Sequence, residues 1–296
     1  MSSSQWMTES TGSFSQSAEC IAEAIEGADA ILVGAGAGLS TAAGFSYGGK
    51  RFEEHFADFC ERFGIEDMYS GGFYPFPDKE TFWAWWSRII WVNRYACPVG
   101  KAYEDLAAVL QGRDYFVLTT NADHQFQRAG IEKARLFYMQ GDYGLFQCSR
   151  PCHQETYDNR DMVEAMVREQ KDMRVPSELL PRCPRCGEPL VPNLRIDDSF
   201  VEEEGWHAAQ KRYEKFLADH RKSRIVLLEI GVGGNTPAII KFPFWRIAQK
   251  NREATYVQLN LGEVIAPKTL EGCTILVDGD AAKMVAVLKE KLARHA

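Results

Sequence analysis

The chain has 296 residues, 45% of them hydrophobic, enough to bury one large core or two modest ones. Lys and Arg total 34 against 41 Asp and Glu, and the net charge of −7 argues against non-specific binding to nucleic acid or to an anionic membrane. No apolar run reaches the length of a membrane span, and the start, MSSSQWMTESTGSFSQ, lacks the basic and apolar regions of a secretory signal, so a cytoplasmic protein with a mobile tail over residues 1–16 is expected.

Residues 17–28 place Ile21, Ala24, Ile25 and Ala28 on one helical face, with Ser17 as the expected N-cap. AILVGAGAGLS then reads as a buried strand entering a glycine-rich turn. Residues 47–99 show no strand pattern but are rich in aromatics. There Phe82, Trp85, Trp86, Ile89 and Ile90 have the spacing of a helix buried on one side, which favours a packed helical module over an aromatic ligand box. YEDLAAVLQG is a helix closed by Gly112; YFVLTT and RLFYM are strands. Residues 147–217 are polar and interrupt the alternation again. RIVLLEIGVGGNTP repeats the strand-to-glycine-loop pattern, with Pro237 suited to the first turn of the next helix. ATYVQLNL and TILV add two strands, and Asp280 can cap a last helix whose Ala281, Met284, Val285, Leu288 and Leu292 share a face.

This alternation predicts an α/β fold, a Rossmann-like doubly wound parallel sheet assembled from residues 17–46, 100–146 and 218–296. The two insertions, a helical module at 47–99 and a cysteine-bearing module at 147–217, are expected to pack together as a smaller, discontinuous helical and zinc-binding domain.

Three motifs carry chemistry. GAGAGLS (Gly34 to Ser40) follows a strand, where free backbone amides and a helix N-terminus can hold a pyrophosphate. Its third glycine falls at 38, so it departs from GxGxxG, and a tight turn without ligand is the competing reading. A second loop, GVGGN at 231–235, favours the nucleotide, because strand C-ends in a doubly wound sheet face one crevice. In TTNADHQFQRAG, Asn121 can orient a ribose or a water and Asp123 can bind hydroxyls or a developing cation. A turn residue and an N-cap are equally open readings. The histidines show no metal-ligand spacing. Of eight cysteines, Cys20, Cys60, Cys97 and Cys273 stand singly. Cys148-x3-Cys152 and Cys183-x2-Cys186 form two close pairs, which match a closed tetrahedral Zn²⁺ site of structural type better than chance pairing or a redox CxxC.

Together these blocks resemble the sirtuins, the NAD-dependent deacylase and ADP-ribosyltransferase family. GAGLSTAAGF is similar to that family's GAGIS…GIP loop, TTNADHQFQRAG to its TQNID…AG stretch, MQG to the HG motif leading into the zinc module, and GVG to the GTS loop. Asn260 in QLNL resembles the adenosine-side asparagine, and DGDA the C-terminal GD segment. The resemblance implies NAD in a cleft between the two domains. Ala35, Gly36, Ala37, Gly38, Ser40, Asn121, Asp123, Gln140, Gly231, Val232, Gly233 and Asn235 would hold it, with Asn260, Leu261, Asp280 and Ala281 on the adenosine side. Cys148, Cys152, Cys183 and Cys186 would hold zinc.

The departures point to one branch. Ser46-Tyr47-Gly48-Gly49 replaces the family's proline-aspartate-phenylalanine-arginine, Thr120 stands for a glutamine, Phe126 for a histidine, and Gln140 for the catalytic histidine. This set resembles the class M sirtuins, microbial protein ADP-ribosyltransferases acting on lipoylated carrier proteins beside a partner macrodomain hydrolase, and both partners are expected on that ground. A glutamine amide neither takes nor gives a proton near neutrality. Collapse of a deacylation intermediate would therefore lose general-base help, typically about 10²–10⁴-fold. Cleavage of the nicotinamide bond and capture by an ionised carboxylate need no such base. The expected roles are Gln140 holding ribose hydroxyls, Asn121 positioning ribose or water, and Asp123 anchoring the nicotinamide amide. The competing expectations are an NAD-dependent deacylase using another base such as His124, and a non-catalytic NAD or ADP-ribose sensor.

Overall fold

The computed structural model describes residues 5–234 and 237–294. From the N-terminus the chain runs through β1 (Trp6–Met7), α1 (Phe14–Gly27), β2 (Ala30–Ala35) and α2 (Ala37–Ala42). Three helices follow: α3 (Lys50–Phe63), α4 (Met68–Gly71) and α5 (Lys79–Ile90), the last continuing into a π-helical turn at Trp91–Tyr95. Next come α6 (Lys101–Leu110), β3 (Tyr115–Thr119), α7 (Gln125–Arg128), β4 (Leu136–Tyr138) and β5 (Gly141–Cys148). The polar segment supplies β6 (Tyr157–Asp158), α8 (Arg160–Glu169) and β7 (Leu190–Leu194). Then α9 (Glu204–Asp219), β8 (Ile225–Ile230), α10 (Lys241–Lys250), β9 (Thr255–Asn260), β10 (Ala266–Pro267), β11 (Thr274–Asp278) and α11 (Ala281–Ala293) complete the fold.

Six parallel strands form the main sheet in the order β11-β9-β8-β2-β3-β4. AILVGA and IVLLEI are buried at every position, as central strands covered on both faces must be. On one face Ile21 and Ile25 of α1, Leu106 of α6, and Met284 and Leu288 of α11 cover Val33, Val117 and Val257. On the other, Trp206 and Phe216 of α9 and Phe244 of α10 cover Leu32, Phe116, Leu227 and Tyr256. Both glycine loops leave the same, C-terminal edge of this sheet.

The smaller unit packs α3, α5 and α8 on an antiparallel sheet of order β6-β5-β7. Its core is aromatic: Trp85 lies 4.6 Å from Phe56 and 5.1 Å from Phe59 between ring centroids, and Trp83 lies 4.9 Å from Phe146. The helical module and the cysteine module thus share one core. No helix among the described residues is long and apolar enough to cross a membrane.

Four expectations need correction. Residues 5–13 of the presumed tail are fixed. β1 pairs with β10, and the Trp6 ring lies 5.6 Å from Trp245. The Leu276 N–H donates to Thr11 Oγ1 at 2.8 Å and the Asp278 N–H to Ser10 Oγ at 2.9 Å. The cause is that β11 ends the sheet, and its outward amides need acceptors that small hydroxyl side chains supply. Second, α1 starts four residues early, because Ser13 and Gln16 form a capping box while Ser17 is buried. Third, the boundaries at 146 and 218 move. β5 crosses the first while pairing with β7, and α9 belongs to the main sheet because Trp206, Ala209 and Phe216 bury its apolar face there. Fourth, Pro237 precedes α10, whose first residue is Lys241.

Candidate active site

The two glycine loops touch through their backbones. The Gly38 N–H donates to the Gly231 carbonyl at 2.9 Å, and a Cβ on Gly36 would lie 2.6 Å from that oxygen. Gly231 itself has φ +62°, and a Cβ there would meet the Leu39 nitrogen at 2.3 Å. Only glycine fits such an approach, which explains both motifs without reference to a ligand. Beyond the contact lies a cleft of about 530 Å³. Gly36, Ala37, Thr120, Asn121, Ala122, Gln140, Val232 and Gly233 line it from the sheet side. Tyr47, Met68, Tyr69, Phe73, Trp86, Ile89, Tyr143, Arg195 and Ile196 are among the residues that line it from the smaller unit.

The cleft therefore gathers Gly36, Ala37, Asn121, Gln140, Val232 and Gly233 of the expected set. Ala35, Gly38, Ser40, Asp123 and Gly231 stand behind its wall rather than in it. Asn260 lines an adjoining cavity of about 470 Å³ that shares Val232. Leu261 lines neither cavity and is 75% exposed. Asp280 caps α11 through the N–H groups of Ala282 and Lys283, and Ala281 is buried beside it. Asn235 lies outside the described residues.

Asn121 is held from three sides. Its backbone N–H donates to Thr119 Oγ1, and its Nδ2 donates to the Gly36 carbonyl and the Tyr103 hydroxyl, each at 3.0 Å. Asp123 accepts from Ser40 Oγ at 2.6 Å and, on its other oxygen, from the Gln125 N–H at 3.1 Å. It thus caps the next turn as well as standing beneath the cleft. Burial pushes the Asp123 carboxyl above its ordinary range, although the Ser40, Gln125 and Tyr103 hydrogen bonds pull the other way.

Gln140 follows β4 at a corner that Gly141 makes possible, with φ +94° and space for no Cβ beside the Asn193 carbonyl. The Gln140 carbonyl accepts from the Arg195 N–H at 3.1 Å, and the residue lines the same cleft as Asn121. His124 does not line the cleft. Its backbone is left-handed, φ 63°, a region histidine tolerates, and its Nδ1 lies 2.5 Å from Asp142 Oδ2. Asp142 also accepts from Arg94 Nε at 2.8 Å. Burial acts to raise its carboxyl, but His124 and Arg94 together hold it below the usual range.

Sequence reasoning missed Tyr47 and Tyr143, whose hydroxyls lie 2.8 Å apart in the cleft wall. Burial pushes the Tyr47 phenol up to about 12, so it stays a neutral hydrogen-bonding group. Tyr47 falls inside the divergent Ser46-Tyr47-Gly48-Gly49 segment, which was the available signal. Arg51 is turned away from the cleft: its guanidinium donates to the carbonyls of Ser46 and Val92 and to Asn93 Oδ1.

The cysteine pairs come together. All four sulfurs lie within 4.8 Å of one another, with 3.5 Å between Cys148 and Cys186 and 3.7 Å between Cys152 and Cys183. Bonds of about 2.3 Å to a tetrahedral ion would set sulfurs about 3.8 Å apart, so the four residues fit such an ion and leave no open position.

A parallel sheet whose paired glycine loops open on a cleft walled by a helical, four-cysteine unit defines the sirtuin fold. Solved structures that share it include the following three. A Sir2 homologue in complex with NAD has 18% identity and a TM-score of 0.63 over 94% of each chain. A mutant Sir2 homologue in complex with ADP-ribose has 15% identity and a TM-score of 0.61, covering 94% of this chain and 97% of that one. A Sir2 bound to an acetylated peptide has 17% identity and a TM-score of 0.56, with 92% and 97% covered.

No protein-family model matches the chain. Its sequence relatives include a protein ADP-ribosyltransferase of Staphylococcus aureus, 38% identical over 292 residues, 96% of this chain and 91% of that protein. A probable bifunctional ADP-ribose hydrolase/ADP-ribosyltransferase of Fusarium oxysporum f. sp. cubense is 30% identical over 289 residues, 90% of this chain but 47% of the relative. The chain thus spans about half of that fungal protein. It belongs to the sirtuin-type protein ADP-ribosyltransferase family.

Proposed function

We propose that this chain breaks the nicotinamide–ribose bond of NAD and transfers ADP-ribose to a carboxylate side chain of an acceptor protein. The observation that carries this reading is that Gln140 lines the same cleft as Asn121, with no histidine among the lining residues. As the glycosidic bond breaks, its electron pair leaves with nicotinamide, and a carboxylate oxygen of the acceptor forms the new bond to the sugar carbon. An ionised carboxylate has no proton to lose, so a neutral amide at 140 is no handicap. Gln140 holds ribose hydroxyls, and Asn121 presents its amide oxygen to ribose or to an entering nucleophile. Asp123 supplies negative charge beneath the developing cation, in a site sheltered from water. Asp123 stands behind the cleft wall, bonded to Ser40 and the Gln125 N–H, so it would act on nicotinamide through its charge rather than by a direct hydrogen bond to the amide. A deacylase reading with His124 as base has no support from a side chain bonded to Asp142 outside the cleft.

For the acceptor we infer a lipoylated carrier protein, on resemblance to the class M branch. The cleft mouth supports it: Tyr69, Phe73 and Ile196 are 55%, 57% and 50% exposed at its rim, an apolar surface suited to an aliphatic arm. A macrodomain hydrolase partner is supported by the fungal relative, whose name joins ADP-ribose hydrolase to ADP-ribosyltransferase in one protein. The four cysteines are proposed to hold Zn²⁺, which fastens the smaller unit and takes no part in the chemistry.

The test is incubation with labelled NAD and a panel of lipoylated and unlipoylated carrier proteins, following nicotinamide release, acyl release and protein label together. Label on the lipoylated carrier with nicotinamide released in equal amount is expected. Acyl groups removed without protein label would overturn the reading.

A further inference from the structure

We propose that the Tyr103 hydroxyl is a positioning group for this reaction, turning the Asn121 amide oxygen toward the cleft and linking that amide to the Asp123 carboxylate. The inference rests on the reading above that Asn121 touches the NAD ribose. Tyr103 itself lies on α6, fully buried and outside the cleft.

The hydrogens can be counted. The Asn121 Nδ2 has two, one given to the Gly36 carbonyl and one to the Tyr103 oxygen, each at 3.0 Å. The opposite amide orientation would set an acceptor oxygen against the Gly36 carbonyl oxygen, so it is excluded. Asn121 Oδ1 is therefore the end left for the cleft, which Asn121 lines. One bond to Gly36 would still allow the amide to swing about it; the second, to Tyr103, fixes its plane.

Tyr103 has a single hydrogen. Having accepted from Asn121, it can donate to Ser40 Oγ at 2.7 Å or to Asp123 Oδ2 at 3.3 Å. Ser40 gives its own hydrogen to Asp123 Oδ2 at 2.6 Å. The shorter contacts define one direction: Asn121 donates to Tyr103, Tyr103 to Ser40, and Ser40 to the carboxylate. Aligned chains of this kind polarise each member, and in a buried setting the effect is not diluted by water. The links join α2, α6 and the loop after β3, so the hydroxyl also holds the first glycine loop and the asparagine loop in register.

Tyr103→Phe removes only the oxygen. Phe126 packs edge-on at 4.9 Å and keeps the ring in place, Gly36 still receives Asn121, and Ser40 still serves Asp123. The kcat for nicotinamide release is expected to fall about 10- to 100-fold, as slight misplacement at a reacting centre does. The KM for NAD and the Kd for ADP-ribose should stay within about threefold, and the melting temperature should fall by only a few degrees, the cost of the buried hydrogen bonds left unmade. By polarising Ser40, whose hydrogen bond lowers the Asp123 carboxyl, the hydroxyl favours the charged form of Asp123, so its loss should move the acid limb of kcat to higher pH; Asp142, Arg51, Tyr47 and Tyr143 also act on or feel that carboxylate and are unchanged. A passive packing role would shift neither kcat nor that limb.

An unchanged kcat, or a loss confined to KM, overturns the inference while wild type still cleaves NAD. If wild type releases no nicotinamide, the proposed function fails and takes the inference with it, and Asn121→Ala then changes nothing either. Should Tyr103→Phe not fold, Ser40→Ala breaks the next link; a fall in kcat supports the chain, and an unchanged kcat overturns it.

Discussion

The two walls of the cleft are built differently. Behind the sheet side, backbone meets backbone: Gly36 and Gly38 lie against Gly231, and the polar groups beneath them are buried and mutually bonded. On the opposite side it is side chain, with Met68, Tyr69, Phe73, Trp86 and Ile89 projecting from helices and turns. That backbone contact tolerates almost no change, since a Cβ on Gly36, Gly38 or Gly231 would collide. A side-chain wall can be rebuilt residue by residue while the helices behind it stay put. On the proposed function, fixed recognition of NAD and adjustable recognition of an acceptor would share one crevice.

Removing the zinc proposed for the four cysteines tests whether the walls are separable at all. Structural zinc sites contribute on the order of 10 kcal/mol in small modules, so a strong chelator or Cys183→Ser should unfold the smaller unit. Circular dichroism of its Trp83–Trp85 cluster would be lost while ADP-ribose still binds the sheet side; loss of both signals together would show one cooperative body. Next in size is Asn121→Ala, expected to slow nicotinamide release about 10²–10³-fold, roughly 3–4 kcal/mol in barrier. Rapid-quench measurement of nicotinamide checks it, and a loss below tenfold would remove Asn121 from the reaction.

Asp142 joins the two walls, because it pairs with His124 of the sheet side and Arg94 of the smaller unit. Its carboxyl is held below the ordinary value, so the stability it contributes is present above the unfolded pKa near 4 and is lost as pH falls through the folded one. Asp142→Asn should cost about 3 kcal/mol at neutral pH, chiefly by leaving Arg94 unpaired. It should also flatten the acid slope of stability, read by urea melts at pH 7 and pH 3. Tyr47→Phe is expected to be the smallest change. Loss of the contact with Tyr143 should cost about 1 kcal/mol and alter acceptor labelling without altering nicotinamide release. If release alone changed, Tyr47 would belong to the nucleotide wall instead.

The sheet was legible because its signals are local. Runs such as IVLLEI, glycines at strand ends and close cysteine pairs each announce themselves within a dozen residues. The asparagine and glutamine were found the same way, Asn121 as a matched residue and Gln140 as a substitution inside short motifs. What escaped was long-range pairing. Ser40 and Tyr103 are 63 positions apart, Tyr47 and Tyr143 are 96 apart, and no periodicity marks such meetings. The charged surface of α9 hid the apolar face that packs on the sheet, and the small polar residues at the N-terminus gave no hint of their acceptors in β11.

That N-terminal segment has a consequence for how the molecule behaves in a crowded solution. With Ser10 and Thr11 occupying the outward amides of β11, and a three-residue β4 beneath α9 at the other margin, the sheet presents little template on which a second molecule could stack. A chain trimmed to begin at Phe14 would keep its catalytic groups yet expose that seam, and turbidity on standing is the behaviour to expect of it.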